Sequence, residues 1–301
     1  MCEYQNIRSF SVDPGKFIEE TIKKFTAQSP FNSLKDIDGT RIFDEPLVGF
    51  SDGDAQIFTG YKEIIGDFHL TPREVLVQHL RNKGIEMKPD RISVISFVMP
   101  ATAETRLSLH KESKVTSLRW NHTRWQGQDF IIETSRCVVK ELEKHGFEAI
   151  APEISTFFKI QNITLGSNWS QRHIAYACGL GTFSLNDGFI TPKGIAMRLG
   201  SVVTDAVLET TPMQYQNFRA NCLYYRGISC QRCAQRCPAG AISGNGHDKQ
   251  KCFDYLNRQK DLAKEIGRPE NYIGRYAGCG LCQTNVPCEA GIPDPDFGKS
   301  S

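Results

Sequence analysis

The chain has 301 residues, of which 40% are hydrophobic and 23% charged, and its formal net charge is +2 at pH 7. That length suits one large or two modest domains with a buried core, and the near-balanced charge gives no electrostatic reason to expect nucleic acid or an anionic membrane as the main partner. No apolar run approaches the roughly 18 residues of a membrane-spanning helix, and the N-terminal stretch lacks a secretory signal. We therefore expect a cytoplasmic protein whose thiols stay reduced.

The first part of the chain alternates helical and strand patterns. Residues 15–27 predict an amphipathic helix with a proline just before it, and residues 72–84 predict a second helix that begins with proline and ends with glycine. Residues 30–70 are rich in Asp, Gly and Pro and predict irregular structure. The apolar run at residues 92–100 is typical of a buried strand.

The middle of the chain combines a polar segment with a strongly helical one. Residues 101–126 are polar and aromatic and predict a long surface loop. Its segment 120–125 groups two Trp, a His and an Arg, which would either stack on a flat ring system or pack within the loop. Residues 127–146 predict an amphipathic helix closed by glycine, and residues 147–154 predict the next strand.

A third set of elements leads to a change of composition. Residues 167–179 predict a helix, residues 183–194 a hairpin with Asn-Asp-Gly at its turn, and residues 200–210 a strand. The mixture of helices and strands indicates an α/β or α+β sandwich. After about residue 215 the chain becomes rich in Cys, Gly and Pro, so we expect one domain over residues 1–215 and a second over residues 216–301.

Eight of the eleven cysteines form the pattern C-x7-C-x2-C-x3-C-P, then an isolated Cys, then C-x2-C-x5-C. Soft thiolate ligands select iron–sulfur clusters or zinc, and eight thiolates are what two four-iron, four-sulfur clusters require. The run ends in Cys237-Pro238, and bacterial two-cluster ferredoxins have the same ending. The sequence therefore predicts a redox protein with two 4Fe-4S clusters.

The ferredoxin pattern also divides the eight cysteines into two sets. In two-cluster ferredoxins the last Cys of the run ligates the other cluster. The position where the first Cys of the run usually stands is Gly227 here, and Cys222 is its natural substitute. The first cluster then takes Cys222, Cys230, Cys233 and Cys288, and the second takes Cys237, Cys252, Cys279 and Cys282.

Two other interpretations of the cysteines stay open at this point. The C-x2-C pairs would also suit two zinc sites with four thiolates each, although the C-x3-C-P ending is not a zinc-ribbon feature. In the second interpretation Cys222 is a buried thiol of the core and not a ligand, so the first cluster has three protein ligands. Cys2, Cys137 and Cys178 fall outside the pattern, and packing explains the last two best.

A longer signature precedes the cysteines. The segment AYACGLGTFSLNDGFITPKGIAMRLGSVVTDAVL at residues 175–208 resembles the A-G-L-G-x-x-G-x-N-x-x-I-T-P-x-x-G-S-x-x-x-L-G-x-x-x-T-D region of epoxyqueuosine reductases and corrinoid reductive dehalogenases. In those families this region precedes a two-cluster ferredoxin module with an isolated Cys that heads a helix, here Cys252, and a late cysteine group, here residues 278–289. The resemblance covers residues 160–290.

The resemblance implies an α+β fold, an α/β sandwich of the nitroreductase-like type, followed by a bacterial ferredoxin-like two-cluster domain. It also implies a corrinoid, typically cobalamin with its lower base detached, that receives single electrons from one of the clusters. A flavin is the alternative that a nitroreductase-like fold allows. The implied partners are a low-potential electron donor such as ferredoxin or flavodoxin, and a small-molecule or tRNA-base substrate.

The same resemblance implies roles for residues other than the cysteines. The residues expected to contact the corrinoid are Gly179, Leu180, Gly181, Thr191, Pro192, Gly194 and Arg198. Thr204 and Asp205 are further candidates for the cofactor or substrate side, and His247 is expected on a surface loop. The candidates for a catalytic proton donor are Tyr176 and His173, and the other histidines that could bind cobalt or donate a proton are His69, His110 and His122.

One position departs from the family pattern. Epoxyqueuosine reductases carry a proton-donating Asp upstream of the glycine matched by Gly179, and the corresponding residue here is Leu165. Leucine has no proton to give, so we expect a reductase that is related to this family but acts on a different substrate. The alternative is a non-catalytic electron carrier or accessory protein that reduces a partner.

Overall fold

The computed structural model places a layered arrangement of helices and sheet before a cysteine-rich region. Cys2 lies outside the described residues, which are 8, 10, 12–161, 165–215 and 217–296. The helices, in chain order, are α1 (Pro14–Gln28), α2 (Gln56–Ile65), α3 (Pro72–Asn82), α4 (Ala103–Ser108), α5 (Leu118–Lys144), α6 (Gln171–Ala177), α7 (Arg232–Gln235), α8 (Lys249–Asn257) and α9 (Gln259–Glu265). The strands are β1 (Leu47–Asp52), β2 (Ser93–Pro100), β3 (Ala149–Ile150), β4 (Ile160–Gln161), β5 (Gly166–Ser167), β6 (Thr182–Phe183), β7 (Phe189–Ile190), β8 (Met197–Thr204), β9 (Ile242–Ser243) and β10 (Gly246–His247).

The main sheet is antiparallel and has the strand order β1-β2-β8-β3. Every residue of β2 is buried, and a strand that is covered on both faces has a continuous apolar sequence rather than an alternating one. Helices α1 and α5 pack on one face around Phe97 and Phe130, whereas α2, α3 and α6 pack on the other face around Val98 and Trp169. The predicted α+β sandwich is therefore confirmed.

The first two predicted helices are confirmed as α1 and α3, and both have capped starts. Asp13 accepts a hydrogen bond from N of Lys16, and Thr71 and Glu74 form a capping box. The predicted hairpin is also present in shorter form, as β6 and β7, and Asp187 takes a left-handed φ of 56° at its Asn-Asp-Gly turn. Local sequence signals are thus sufficient to predict these helices and this hairpin.

The prediction of irregular structure over residues 30–70 is wrong in part, because β1 and α2 lie there. The strand was missed because Gly49 interrupts its apolar pattern. The structure needs glycine at this place, since a Cβ atom on Gly49 would lie 2.5 Å from O of Cys178. Strand β1 therefore packs directly on the end of α6.

The prediction of a long loop over residues 101–126 is wrong, because α4 and the first turns of α5 lie there. Ser117 caps α5 by accepting a hydrogen bond from N of Trp120 over 3.2 Å. The helix continues through Gly127, whose Cβ atom would lie 2.7 Å from the ring of Phe43. The polar and aromatic first turns face the cysteine-rich region, which explains a composition that is unusual for a helix.

Three other elements are shorter than predicted or shifted. Strand β3 has two residues, because Pro152 begins a 3-10 turn right after it. Helix α6 is shorter, and β8 begins earlier in the chain and ends at Thr204. Because β3 pairs only with Val203 and Thr204, the edge of β8 from Met197 to Val202 has no strand partner among the described residues.

The region after β8 consists of short helices, 3-10 turns and the two-residue ladder of β9 and β10. Arg236 fixes this region on the N-terminal part by donating hydrogen bonds to O of Leu109 and O of Glu112. The domain boundary near residue 215 stays a prediction. Within the described ranges, no helix is both long and apolar enough to cross a membrane.

Phe97→Ala is expected to destabilise the fold by about 3–5 kcal/mol, because the side chain is fully buried between β8 and α5. Urea unfolding under anaerobic conditions, followed by circular dichroism, measures the change. Phe31→Ala is the control, since Phe31 is 42% exposed and its loss should cost about 1 kcal/mol or less. Equal costs for the two variants would contradict this description of the core.

Candidate metal centres

Four cysteine thiols line one cavity between the β6–β7 hairpin and the cysteine-rich region. We call this set group I, and it consists of Cys222, Cys230, Cys233 and Cys288. The buried side chains of Leu185, Ile190 and Val286 complete an apolar wall around the same cavity. The structure therefore brings together the four residues that the sequence assigned to the first cluster, and Cys222 lines the cavity with the other three.

The remaining four cysteines of the pattern also lie near one another. We call this set group II, and it consists of Cys237, Cys252, Cys279 and Cys282. Burial, together with like charge from Cys252 and Cys237, raises the pKa of Cys279 to about 12. Burial also raises the pKa of Cys282, whose neighbours include Cys233 of group I as well as the rest of group II. The two groups therefore adjoin each other.

Burial of these thiols favours a positively charged occupant. Burial, with like charge from Cys222 and Cys230, raises the pKa of Cys233 to about 12, so the bare thiol stays protonated at neutral pH. Metal ligation needs thiolates, and an iron core supplies the positive charge that stabilises them. A backbone amide adds to this, since N of Ala241 donates to Sγ of Cys237 over 3.3 Å.

A zinc ion would draw its thiolates to about 2.3 Å from a common centre. In the part of the chain that the structure describes, no three His, Cys, Asp or Glu side chains are placed so that they could hold one metal ion.

Tight turns and helix caps position the cysteines. The segment between Cys222 and Cys230 folds into a 3-10 turn and reverses at Gly227, whose φ of 78° is left-handed. Cys252 lies in the first turn of α8, which Asp248 caps. This compact turn therefore accounts for the extra residues between Cys222 and Cys230, where the usual ferredoxin run has only two.

The hairpin and the loop before β8 hold both groups. The Asn186 side chain donates to O of Cys282 over 2.8 Å, in group II. The N atom of Ile195 donates to O of Cys288 over 2.9 Å, in group I. The N-terminal part therefore fixes the backbone of each group by at least one direct hydrogen bond.

Thr191, Pro192 and Gly194 lie in a loop that contacts the cysteine-rich region, and their assignment to a cofactor stays a prediction. Thr191 is fully buried and donates to O of Gly194 over 2.9 Å. A Cβ atom on Gly194 would lie 2.1 Å from O of Glu289, and O of Pro192 lies beside Gly291. This loop therefore binds the cysteine-rich region, and the glycine is needed because two segments of backbone meet there.

Gly179, Leu180 and Gly181 also pack against other parts of the protein, and their assignment to a cofactor stays a prediction. A Cβ atom on Gly181 would lie 2.3 Å from O of Ile190. Gly179 has a left-handed φ of 72°, and its Cβ atom would lie 3.1 Å from O of Pro212. Leu180 is only 6% exposed. The close approaches that these residues permit are between protein segments.

Arg198 keeps an unpaired polar group. Its guanidinium donates to Gln128, but its Nε has no partner among the described residues. Burial, with like charge from Arg124, lowers the pKa of Arg198 to about 9. A chain of hydrogen bonds begins at this point and follows the unpaired edge of β8 through Gln128, Glu153, Gln171, Ser201 and Trp169.

The two candidate proton donors have different surroundings. His173 shares a hydrogen bond of 2.8 Å with Oγ of Ser170, and burial lowers its pKa to about 4, so it is neutral at pH 7. Its ring also packs edge-on against that of Tyr61, which indicates a structural role. Tyr176 is half-buried beside Phe183, and burial raises its pKa, so it retains its proton at neutral pH.

The other predicted polar positions join elements of the fold. The histidine contacts are His69 with N of Ser170, His110 with Glu289, and His122 with O of Asn271. Asp205 accepts a hydrogen bond from N of Glu148 over 2.8 Å, at the end of β8 that holds β3. Leu165 has a left-handed φ of 51° in the turn before β5. None of these five positions is placed in group I or group II.

Sequence reasoning missed two contacts at group II. His247 lies in β10 rather than in a surface loop, with Nδ1 3.2 Å from Oδ2 of Asp187, and Cys252 is its second hydrogen-bond partner. Trp120 covers Gly280, whose Cβ atom would lie 2.2 Å from the indole. The signal for the second contact was a glycine between the two cysteines of a C-x2-C pair, which marks a close approach.

Comparison with known proteins supports a cluster-binding region. Residues 226–289 match a 4Fe-4S double cluster binding domain. The chain is 29% identical over 185 residues to epoxyqueuosine reductase of Bacillus anthracis, and 33% identical over 136 residues to that of Listeria monocytogenes. These alignments cover 58% and 41% of this chain, but 44% and 33% of the relatives. The chain therefore spans less than half the length of the curated relatives it matches.

Solved structures share the fold. A selenomethionine-labelled epoxyqueuosine reductase matches with a TM-score of 0.51 and 16% identity, over 94% of this chain and 70% of that one. A catabolic reductive dehalogenase in complex with 3-bromo-4-hydroxybenzoic acid matches with a TM-score of 0.52 and 15% identity, over 82% of this chain and 30% of that one. Fold and site together define a protein with a region similar to 4Fe-4S double cluster binding domains. The predicted likeness to epoxyqueuosine reductases and reductive dehalogenases is confirmed.

Gly194→Ala is expected to weaken the attachment of group I, because its Cβ atom would strike O of Glu289. With a chelator present, we expect the visible cluster absorbance to decay at least about tenfold faster than in the unmodified protein, which corresponds to about 1.4 kcal/mol. Gly84→Ala is a matched control, since Gly84 also has a left-handed φ of 71° but has nothing within 4 Å of its Cβ position. Equal decay rates in the two variants would contradict the proposed contact.

Proposed function

We propose that the chain is an iron–sulfur oxidoreductase that passes single electrons through two 4Fe-4S clusters, one in each cysteine group. The observation that carries this proposal is the division of eight cysteines into two adjoining sets of four. The match of residues 226–289 to a double cluster binding domain supports it. Ligands for cluster I are the four cysteines of group I, and ligands for cluster II are those of group II.

Cluster II is the exit for electrons. Cys279 packs with Leu281 against Ala101, Trp120 and Ala196 of the N-terminal part. Ala196 leads directly into β8, whose first three residues are only half-buried although β2 pairs with them. An electron on cluster II is therefore next to the surface of the N-terminal part that remains available to an acceptor.

The acceptor that we propose is a corrinoid held at the start of β8. A solved reductive dehalogenase matches this fold with a TM-score of 0.51. That structure suggests a mechanism for B12-dependent dehalogenation. The fit rests on the unpaired Nε of Arg198, whose guanidinium also donates to the amide of Gln128. A bound corrinoid would supply one-electron cobalt chemistry, while these residues bind and orient it.

Arg198 would bind an anionic or amide group with its free Nε. Tyr176, which packs beside Phe183, stays the predicted proton donor for a reduced substrate. Because Leu165 replaces the family's Asp, we propose a small molecule or tRNA base other than that of the relatives as substrate. A flavin at the same surface is the alternative cofactor.

The second candidate function is that of an accessory protein that reduces a partner. The specific observation in its favour is Leu165, since a proton donor is missing where the related reductases have one. In that case the clusters work in the same way, but the electron leaves to another protein. The two functions differ in whether the chain itself binds a corrinoid.

Cys222→Ala is expected to remove cluster I and retain cluster II. Iron content should fall from about eight to about four per chain, with loss of one reduced-cluster EPR signal. Cys178→Ala is the matched control, because Cys178 is fully buried yet lies outside both groups. If Cys222→Ala keeps both signals unchanged, the proposed ligand set is wrong.

Cobalamin added to the anaerobic protein is expected to bind, with a shift of its visible absorbance that saturates on titration. Arg198→Ala should weaken this binding about tenfold, because it removes the unpaired donor at the site. Arg81→Ala, on the exposed face of α3, is the control. If cobalamin does not bind while both cluster signals are present, the accessory-protein function is favoured instead.

A further inference from the structure

The sequence around group I has an unusual charge composition. Residues 210–247 contain no Asp, Glu or Lys, although the whole chain has 34 acidic residues. The same segment has four arginines, at positions 219, 226, 232 and 236. A run of this length with cations and no anions predicts a positive surface potential wherever its arginines reach solvent.

Three of the four arginines reach solvent, and the fourth has a structural task. Arg219, Arg226 and Arg232 are exposed. The half-buried Arg236 donates to backbone O atoms of Leu109, Glu112 and Thr284 and thereby joins two parts of the fold. The exposed charges are therefore the ones that are not needed for packing of this region.

The exposed arginines surround group I rather than group II. Arg232 lines the group I cavity together with the cysteines. Arg226 lies in the 3-10 turn that follows Cys222. The guanidinium of Arg219 lies 4.1 Å from the ring centroid of Tyr225 in the same turn. Cluster I is therefore the cluster that a partner at this surface would reach first.

An apolar side chain lies in the same surface. Phe218 is 49% exposed, and Arg219 lies over its ring, 4.9 Å from the centroid. Exposed apolar groups with a rim of one charge are typical of a protein-binding surface. Phe218 and the arginines therefore occur together at the place where an electron would enter.

Acidic residues near this surface do not cancel the charge. Asp187 has His247 as its partner, and Glu289 is paired with Arg106 and His110. Glu209 and Asp248 bound the acid-free segment, and Asp294 and Asp296 follow Pro293, which forms part of the cavity wall. Three exposed cations therefore remain on the side of residues 219–232.

We propose that Arg219, Arg226 and Arg232, with Phe218, form the docking surface for an acidic protein that carries a one-electron centre. The proposal rests on the proposed electron-transfer function. It adds that electrons enter at cluster I and that the donor protein is negatively charged. In the transfer step, the donor centre loses one electron and the oxidised core of cluster I gains it. No bond forms or breaks, and no proton moves.

The test compares two reductants of opposite charge. Arg219→Glu/Arg226→Glu reverses two charges of the surface and leaves the group I cavity residues unchanged. Stopped-flow absorbance measures cluster reduction by a pre-reduced acidic plant-type ferredoxin and, separately, by the methyl viologen radical cation. Lys16→Glu/Lys24→Glu is the matched control, since both lysines are exposed on α1 and the charge change is the same.

With ferredoxin at low salt, the arginine variant is expected to react at least about tenfold more slowly, and the rate of the unmodified protein should fall as salt is added. With methyl viologen the same variant should react as fast or faster, because the repulsion of the cation is removed. The lysine variant should behave like the unmodified protein. Arg226→Glu alone should show the same trend, and this variant keeps the Arg219 stacking.

Two results would overturn the docking surface. If the arginine and lysine variants slow ferredoxin equally, the effect comes from total charge and not from this surface. If the arginine variant slows both reductants equally, the arginines act on the cluster itself. If methyl viologen reduces no cluster even in the unmodified protein, the proposed electron-transfer function fails, which the first two results do not imply.

Discussion

The burial of negative sulfur ligands is the constraint on which the rest of the structure depends. Burial raises the pKa of Cys279, Cys282 and Cys288, so that these groups can be thiolates only with a strong positive partner. The region around them has few apolar side chains of its own and consists mainly of turns. Its stability therefore depends on bound metal and on contacts with the N-terminal part.

One continuous stretch of the N-terminal part contributes several of those contacts. Asn186 bonds to one cysteine group and Ile195 to the other, and both lie between α6 and β8. The turn in this stretch serves the interface, since Gly194 lets two backbones meet. The same stretch then continues as β8, so it connects the cluster-binding region directly to the sheet.

Much of this arrangement could be predicted from the sequence, and the failures have a common physical cause. Cysteine spacing predicted the two sets of four that the structure brings together, because the ferredoxin pattern relates distant positions by a fixed rule, and their role as ligands stays a prediction. The first turns of α5 were missed because Trp120 packs on Gly280, far away in the chain. A sequence pattern also does not show that Gly181 lies against O of Ile190. Both of these contacts are tertiary.

The position of Trp120 has a consequence for spectroscopy. Its indole lies against Gly280, which stands between two cysteines of group II in the sequence. Trp169, by contrast, stacks on His69 in the layer of α2, α3 and α6. An iron–sulfur core absorbs broadly in the near ultraviolet and visible range, so it accepts excitation energy from an adjacent indole. If group II holds a cluster, Trp120 emission is quenched while that cluster is present and becomes brighter when it is lost. Trp120 would then be an optical reporter of cluster occupancy within the protein itself.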